Sequence, residues 1–298
     1  MIGVTIIVSS IIYLTPGDPA KIMLGPQASQ EAINKLRNKM DLDKPFYLRY
    51  IKWISGIVRG DFGRSLRRRE DVLTIISKRI PATLKLGISA LIITLILAVP
   101  TGIISAVKPN SILDNISRAF AVFWISMPSF WLGLILILIL SIRLNIFPIS
   151  GMGGSLATKS GWIHLALPAF AVGARRAAVI MRLTRSKMLE ILNEEYIQTA
   201  RSKGLPESLV IYRHAFRNVL IPIITLLGMQ IPWIFSGAVI IERVFAWPGM
   251  GRLLVNSVFK RDYPLIQGSI LIFALIVMII NIIIDISYAY IDPRIRYQ

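Results

Sequence analysis

Four stretches of the chain carry no charged residue and are long enough to cross a bilayer. They are residues 86–107, 119–142, 218–241 and 263–284, each 22 to 24 residues long and bounded by charged side chains. A helix needs about 20 apolar residues to span the ~30 Å hydrocarbon core of a membrane. The pattern therefore predicts an all-α, polytopic membrane protein and excludes secreted, cytosolic and collagen-like classes.

Two further helices bring the expected number of transmembrane helices to about six. Residues 1–14 form a largely apolar run that would make about 21 Å of helix before Thr15-Pro16-Gly17-Asp18-Pro19. We expect this run to be a first span whose leading residues are missing. The other span, roughly 164–181, is less regular because Arg175 and Arg176 interrupt it. Since the spans are spread along the whole chain, we interpret residues 1–298 as a single transmembrane domain.

Two long polar segments separate the spans, and their lysines and arginines predict the orientation. The side of the membrane that holds residues 182–217 carries 11 Lys and Arg in its short loops and tail, against 6 on the other side, so we predict that it is cytoplasmic. Residues 16–81 then lie outside the cytoplasm, although they carry 14 Lys and Arg, because the rule weakens in segments longer than ~60 residues. Within them, residues 46–57 predict an amphipathic helix that packs on the spans or lies on the membrane surface.

Composition supports a membrane protein and changes the meaning of the net charge. The chain is 54% hydrophobic and only 17% charged, whereas soluble domains are about 25% charged. A net charge of +18 would suggest a nucleic-acid partner in a soluble protein. Here most basic residues flank hydrophobic spans, where they meet the headgroups of the lipid bilayer, so no nucleic-acid partner is expected. The chain has no cysteine, which excludes disulfides, thiolate nucleophiles and cysteine metal sites.

The sequence lacks the residue patterns of the common catalytic and metal sites. The dipeptide Gly-Lys does not occur, so there is no phosphate-binding loop of the usual kind. The only histidines are His164 and His214, and there is no H-E-x-x-H zinc motif. Asp285 is the only carboxylate near the core of a span, and a packing or capping role suits it at least as well as a functional one. We therefore expect no catalytic residue, no metal site and no cofactor bound by this chain.

Arg175 and Arg176 are candidates for a transport pathway. Adjacent residues of a helix point about 100° apart, so the two side chains cannot share one face. Either one lines a water-filled path while the other reaches towards the headgroups, or both extend to the cytoplasmic surface. The sequence leaves these alternatives open.

The most informative polar segment is 194–205. It is too polar to span, Tyr196, Ala200 and Lys203 recur at helical spacing, and Gly204 can end a helix before Pro206. This pattern suits a short helix presented to a cytoplasmic partner, and a solvated loop is the alternative.

At these residues the chain resembles the permeases of ABC importers, and in particular the dipeptide/oligopeptide/nickel permease family. Residues 196–205, with 213–218 and Ile221-Pro222, are similar to the coupling loop of that family, and the resemblance covers nearly the whole chain. The other similar motifs are Pro16-Gly17-Asp18-Pro19, Gly60-Asp61-Phe62-Gly63-Arg64-Ser65, Pro128-Ser129-Phe130-Trp131-Leu132-Gly133, Glu242-Arg243-Val244-Phe245-Ala246-Trp247-Pro248-Gly249-Met250-Gly251, Arg261-Asp262-Tyr263-Pro264 and Asp292-Pro293-Arg294-Ile295-Arg296.

The resemblance implies a fold, a location and a set of partners. The fold is the type I (MetI-like) ABC importer permease, with six spans, in a prokaryotic plasma or inner membrane. The partners are a second homologous permease subunit, two cytoplasmic ATPase subunits that bind ATP and Mg, and an extracytoplasmic substrate-binding protein. This chain would be the translocation subunit and not an enzyme.

The resemblance also implies which residues couple the permease to the ATPases. Ala200 and Gly204 would form the small core of the contact within the 194–217 loop. Glu195, Tyr196, Arg201, Lys203 and Leu205 would surround it. Two features depart from the family: Gln198-Thr199-Ala200 replaces the Glu-Ala-Ala of the broader motif, and no basic leader precedes the first span.

The predicted substrate is a di- or oligopeptide, and other interpretations stay open. Permeases of this family for nickel, glutathione or an oligosaccharide are alternatives, although no paired His or carboxylate site in the spans favours a metal. Outside the family, the alternatives are a self-contained channel, which would not need a structured cytoplasmic helix, and an intramembrane hydrolase, which would need a catalytic pair. The basic cluster at 67–69 is a hypothetical docking point for the binding protein.

Overall fold

The computed structural model describes residues 2–14, 18–25, 27–39, 41–154 and 157–291, whose regular secondary structure is helical. The motif residues Pro16-Gly17 and 292–296 lie outside these ranges, and so does the side chain of Asp285. The helices are α1 (Ile2–Leu14), α2 (Pro19–Leu24), α3 (Gln30–Lys39), α4 (Phe46–Val58), α5 (Val72–Ser77), α6 (Ile80–Val107), α7 (Ile112–Ser126), α8 (Ser129–Leu136), α9 (Lys159–Leu192), α10 (Glu195–Ser202), α11 (Glu207–Leu209), α12 (Phe216–Val244), α13 (Met250–Lys260) and α14 (Tyr263–Ile291). Two π-helical segments, Ile137–Arg143 and Val210–Ala215, extend α8 and precede α12.

Four helical stretches are long and apolar enough to cross a membrane among the described residues. They contain the predicted spans 86–107, 164–181, 218–241 and 263–284, which are thereby confirmed as helices of spanning length. The first predicted span is the shorter α1, which has 13 residues where a full crossing takes about 20.

The predicted third span, 119–142, is not one straight helix. The chain bends by 105° between the helical stretches Ile112–Ser126 and Ser129–Arg143. Together they count as at most one broken span. The break lies at Met127, whose backbone is extended (φ −94°, ψ 123°). Pro128 follows it, and a proline disfavours the helical conformation of the residue before it. The apolar run is continuous in sequence, but the helix is interrupted by this local backbone restriction.

The chain folds into two compact units. One is made of the described residues within 1–81 and 252–278, and the other of the described residues within 82–251 and 279–291. The single transmembrane domain expected from the sequence stays a prediction.

In the first unit, the motifs at 60–65 and 261–264 form one junction. The buried Asp262 carboxylate accepts a hydrogen bond from the hydroxyl of Ser65 and others from the backbone N–H groups of Leu66 (3.2 Å) and Arg67 (3.4 Å). Backbone N–H groups that converge on a carboxylate satisfy its charge without a cation. The turn at 60–69 is thereby fixed to the start of α14.

The core of the second unit surrounds α9, which packs against α7, α8 and α12. Small residues allow the helices to approach closely: a Cβ added to Gly173 would lie 2.7 Å from the carbonyl oxygen of Ala90. The hydroxyl of Thr94 donates to the carbonyl oxygen of Gly173 (3.1 Å) at the same contact. Close helix approach at small residues is the usual packing mode inside membranes.

The motif at 242–251 closes the end of α12 against the start of α6. Thr83 donates to the fully buried Glu242 (2.6 Å) and accepts from the backbone N–H of Met250 (2.7 Å). The indole of Trp247, also fully buried, donates to the carbonyl oxygen of Ala82 (2.8 Å). Gly249 is required because an added Cβ would lie 2.0 Å from the Glu242 carboxylate.

Candidate functional site

The polar segment between α9 and α12 is a compact helical structure and not an open loop. Helix α9 continues 11 residues past the predicted end of its span at Met181 and stops at Leu192. Glu194 is extended and starts α10, and α11 with the following π-helical turn leads directly into α12. The prediction of a short helix before Gly204 is confirmed.

The inner face of α10 is buried in the second unit. Ile197 is fully buried and Ala200 is 7% exposed, and both belong to a cluster with Met188 of α9 and with Val210 and Ala215, which precede α12. These contacts join α10 to the ends of two long helices. A displacement of α10 therefore acts on α9 and α12 together.

Gly204 ends α10 in a left-handed conformation (φ +74°). Its N–H donates to the carbonyl oxygen of Arg201 (2.9 Å), and the N–H of Leu205 donates to that of Ala200 (3.4 Å). This pair of bonds is the Schellman motif, and the half-buried Leu205 packs on the cluster below it. Space beside Gly204 is open, so the glycine is needed for its backbone conformation and not for its size.

Two side-chain contacts stabilise the turn after α10. Arg201 donates two hydrogen bonds to Glu207, Nε to Oε2 (3.2 Å) and Nη2 to Oε1 (2.7 Å), which raise the pKa of the guanidinium further above its usual range. The hydroxyl of Tyr196 accepts a hydrogen bond from the amide of Asn218 (2.8 Å). Two side chains of the outer surface, Arg201 and Tyr196, are therefore held in place before any partner binds.

The outer surface of α10 contains most of the residues selected from the sequence. Glu195, Tyr196, Arg201, Lys203 and Gly204 are exposed, Tyr196 with 43% of its surface.

Ala200 lies on the inner side of α10. It follows Ile197 by three residues on the same helical face and packs into the core of this chain. Its place in the contact with the ATPases stays a prediction.

Sequence reasoning missed a buried ion pair beside this site. Asp114, which is fully buried, accepts hydrogen bonds from Nε and Nη2 of Arg185 at 2.7 Å each. It also accepts from the hydroxyl of Ser105 and from the backbone N–H of Asn110 (2.9 Å). The pair joins the first turn of α7 to the last third of α9. An acidic residue three positions after the helix-capping Ser111 was the available signal.

The two adjacent arginines of α9 diverge, as their 100° spacing predicts. Arg175 is exposed, whereas Arg176 is half-buried between α9 and α12. Nη1 of Arg176 donates to Oε1 of Gln230 (3.3 Å), and its guanidinium carbon lies 5.9 Å from the centre of the Trp233 ring. Gln230 is only 6% exposed and was not selected from the sequence, although a glutamine in the apolar run 218–241 was a visible signal.

The part of the chain that the structure describes contains no group of three or more His, Cys, Asp or Glu that could hold a metal ion.

Comparison with known proteins identifies the family. Residues 98–297 match the family described as "Binding-protein-dependent transport system inner membrane component", and residues 1–87 match its N-terminal domain. The chain is 41% identical over 302 residues to the oligopeptide transport system permease protein AppB of Bacillus subtilis (strain 168), covering 100% of this chain and 95% of the relative. It is 40% identical over 295 residues to the glutathione transport system permease protein GsiC of Escherichia coli (strain K12), covering 99% and 94%.

Solved structures share the fold at low sequence identity. An inward-facing structure of the MetNI methionine ABC transporter matches with a TM-score of 0.59 at 14% identity, over 74% of this chain and 97% of that one. An amino acid ABC transporter with histidines matches with a TM-score of 0.53 at 14% identity, over 75% and 95%. The family match and the relatives over nearly the full length agree with the helical fold. The chain therefore belongs to the binding-protein-dependent transport system inner membrane components, and it is the multi-pass permease subunit of a bacterial ABC importer, not its ATPase.

Proposed function

We propose that the outer surface of α10 and the Gly204 turn is where separate ATPase subunits drive this permease. The observation that carries the proposal is the two-sided character of α10. Its outer face is exposed and preordered, while Ile197 fixes its inner face to the ends of α9 and α12. A partner that pulls on α10 therefore moves two spans, which suits a permease that alternates between two states.

The assembly that this proposal requires contains a second permease, two ATPases and a binding protein besides this chain. The second, homologous permease subunit completes the translocation path, and the two cytoplasmic ATPase subunits bind the ATP and Mg. An extracytoplasmic binding protein delivers the substrate. These partners belong with an importer permease in general, and the composition of this particular assembly is part of the proposal.

The proposed substrate class is short peptides. Two relatives at 40% identity or above are named for oligopeptide and for glutathione transport, and glutathione is itself a small peptide. Nickel and oligosaccharides remain alternatives within the family. A self-contained channel is the alternative outside it, and it would move its substrate without ATP.

Charge reversal on the outer face of α10 tests the coupling. Lys203→Glu changes an exposed residue beside the Gly204 turn, and Lys108→Glu is the matched control at another exposed lysine of the predicted cytoplasmic side. Like charges brought together at an interface cost several kcal/mol. In the purified complex in proteoliposomes, we expect Lys203→Glu to lower ATP-driven peptide uptake about tenfold or more, since ~1.4 kcal/mol is a factor of ten, while Lys108→Glu leaves it unchanged.

The outcome that contradicts the coupling site is full uptake by the Lys203→Glu complex. Substrate flux without ATPase subunits would instead favour the channel. Gly204→Asn separates shape from contact, because asparagine tolerates the left-handed conformation that Gly204 adopts and should keep uptake near the original rate.

We also propose that the basic cluster at 67–69 receives the binding protein. All three arginines are exposed, and their turn is fixed through Ser65 to Asp262. Arg67 and Arg69 border an open cavity of about 1070 Å³ in the first unit, lined by charged side chains of both signs. Replacing the three arginines by glutamine should weaken docking of the loaded binding protein, with Lys35 and Arg59 as exposed control positions. Unchanged docking would remove this proposal.

A further inference from the structure

The exposed face of α12 and α9 differs in chemistry from that of α6. Between residues 88 and 96 the exposed side chains of α6 are all aliphatic: Ile88, Ile92, Leu95 and Ile96. The middle of α12 and α9 instead exposes Thr225, Met229, Trp233, Ser236 and Arg175. An aliphatic face suits lipid tails, whereas polar and charged side chains within spans face a protein interior or a water-filled cavity. The face of α12 that carries Trp233 is therefore on the side of a path or a protein partner.

Arg176 lies at the edge of this mixed face and has a defined orientation. Gln230, almost fully buried, accepts one N–H of the guanidinium at 3.3 Å. The ring of Trp233 lies 5.9 Å from the guanidinium carbon and adds a cation–π contact. Two neighbours on α12 thus hold a flexible side chain in one place, and the rest of its five N–H donors stay available.

The charge of Arg176 has no counter-ion within the part of the chain that the structure describes. The ion pairs found there involve other residues, and the neighbour of Arg176 in the sequence, Arg175, carries the same charge. Arg176 lies within the predicted span 164–181, five positions before its end at Met181, and its side chain is half-buried. A cation in such a position is unfavourable on its own, and the binding of an anion offsets that cost.

We propose that Arg176, oriented by Gln230 and Trp233, binds a carboxylate group of the substrate during its passage through this subunit. The planar guanidinium matches a carboxylate with two parallel hydrogen bonds, which a lysine ammonium cannot reproduce. The inference rests on the proposed peptide substrate, whose C-terminal carboxylate is the group recognised. Arg176 is thus a specificity-determining residue of the pathway, and Arg175 is not.

The test compares a peptide with its C-terminal amide. The full complex in proteoliposomes is supplied with binding protein saturated with either peptide, so that the preference of the binding protein itself cancels. A hydrogen bond to a charged carboxylate is stronger than one to a neutral amide. We therefore expect the unmodified complex to take up the acid about ten times faster than the amide, or more. Arg176→Gln should bring the ratio to about one by slowing the acid, and Arg175→Gln, the matched control, should keep it.

Each other outcome overturns the proposal. An unmodified complex that takes up acid and amide at equal rates has no carboxylate site, and neither has an Arg176→Gln complex that keeps the ratio. The latter result would also follow if a lipid phosphate, and not the substrate, were the anion at Arg176. If Arg176→Gln fails to assemble, Arg176→Lys keeps the charge but cannot make the two parallel hydrogen bonds, and it should lower the acid-to-amide ratio severalfold. Absence of uptake of both peptides by the unmodified complex would refute the peptide substrate, and this proposal with it.

Discussion

Replacing Asp114 by asparagine removes one charge from a pair that is held by unusually good geometry. The carboxylate is fully buried and both of its oxygens accept hydrogen bonds from Arg185 at 2.7 Å. Ser105 and the N–H of Asn110 also donate to it, and Nε of Arg118 lies 3.7 Å from Oδ1. Asparagine has nearly the same shape, so the change tests the charge and its hydrogen bonds and leaves the packing of the site in place.

The expected cost differs between the two members of the pair. Removing one partner of a buried ion pair costs about 3–5 kcal/mol, since the other charge is left buried. Asp114 has no exposed surface, whereas the side chain of Arg185 is 20% exposed and can reach water. Arg185→Gln should therefore cost about 4 kcal/mol, because Arg118 at 3.7 Å offsets part of the charge left on Asp114, and Asp114→Asn should cost about 3 kcal/mol. The double variant should cost less than the sum of the two, with an interaction of about 2 kcal/mol.

The assay is reversible unfolding in mixed detergent micelles, followed by tryptophan fluorescence. The matched control is Lys187→Gln, which breaks the exposed pair of Lys187 with Glu190 (2.7 Å) on the same helix. Exposed pairs of this kind contribute about 0–0.5 kcal/mol. If Arg185→Gln lowers the free energy of unfolding no more than Lys187→Gln does, the reasoning from burial is wrong.

Two further predictions concern packing and pH. Gly173→Ala should destabilise the protein by about 1–3 kcal/mol, because the added Cβ would meet a backbone carbonyl of α6. The control is Gly237→Ala, where nothing lies within 4 Å, and it should be neutral or slightly stabilising. Thermal unfolding in detergent compares the two variants. Hydrogen bonds from Lys44 and Lys52 hold the pKa of Asp41 below its usual range. Because that pKa is lowered in the folded state, the stability that the Asp41 carboxylate provides is complete above about pH 4 and is lost as the pH falls through the folded pKa. Asp41→Asn should therefore remove this part of the acid sensitivity when the free energy of unfolding is measured over a series of pH values. An unchanged pH profile would contradict the prediction.

The spans were predictable because their signal is local and repeated. Charge-free runs of 22 residues or more indicate helices whatever their tertiary contacts, and the glycine stop at Gly204 depends on a few neighbouring residues. The bend at Met127 was harder to predict, because the apolar run continues through it and only Pro128 marks the break. Helix α9 passes its predicted end because the arginines, lysine and leucines that follow Met181 are good helix formers.

The contacts that build the candidate sites depend on residues far apart in sequence. Asp114 and Arg185 are separated by 71 positions, and Arg176 and Gln230 by 54. A single sequence gives the type of each residue but not its partner, so each looked like an isolated polar residue within or near a span. The inward orientation of Ala200 was missed for the same reason, since a small residue on a helix can face a core or a partner.

The Asp114–Arg185 pair braces the part of α9 that connects α10 to Arg176. Between Arg176 and Leu192 helix α9 contains no proline or glycine, so this stretch, about 24 Å long at ~1.5 Å per residue, lacks the two residue types that most often kink a helix. Met188, which belongs to the same hydrophobic cluster as Ile197 of α10, lies towards one end of it and Arg176 at the other, with Arg185 between them. If α9 is rigid and transmits the movement of α10, weakening the ion pair at Arg185 should reduce the part of each ATP-driven movement that reaches Arg176. Asp114→Asn should then lower the number of peptides imported per ATP hydrolysed and keep the acid-to-amide uptake ratio that Arg176 sets. If the ratio is lost while the number of peptides per ATP is unchanged, the ion pair supports the transport pathway and not the transmission of movement from α10.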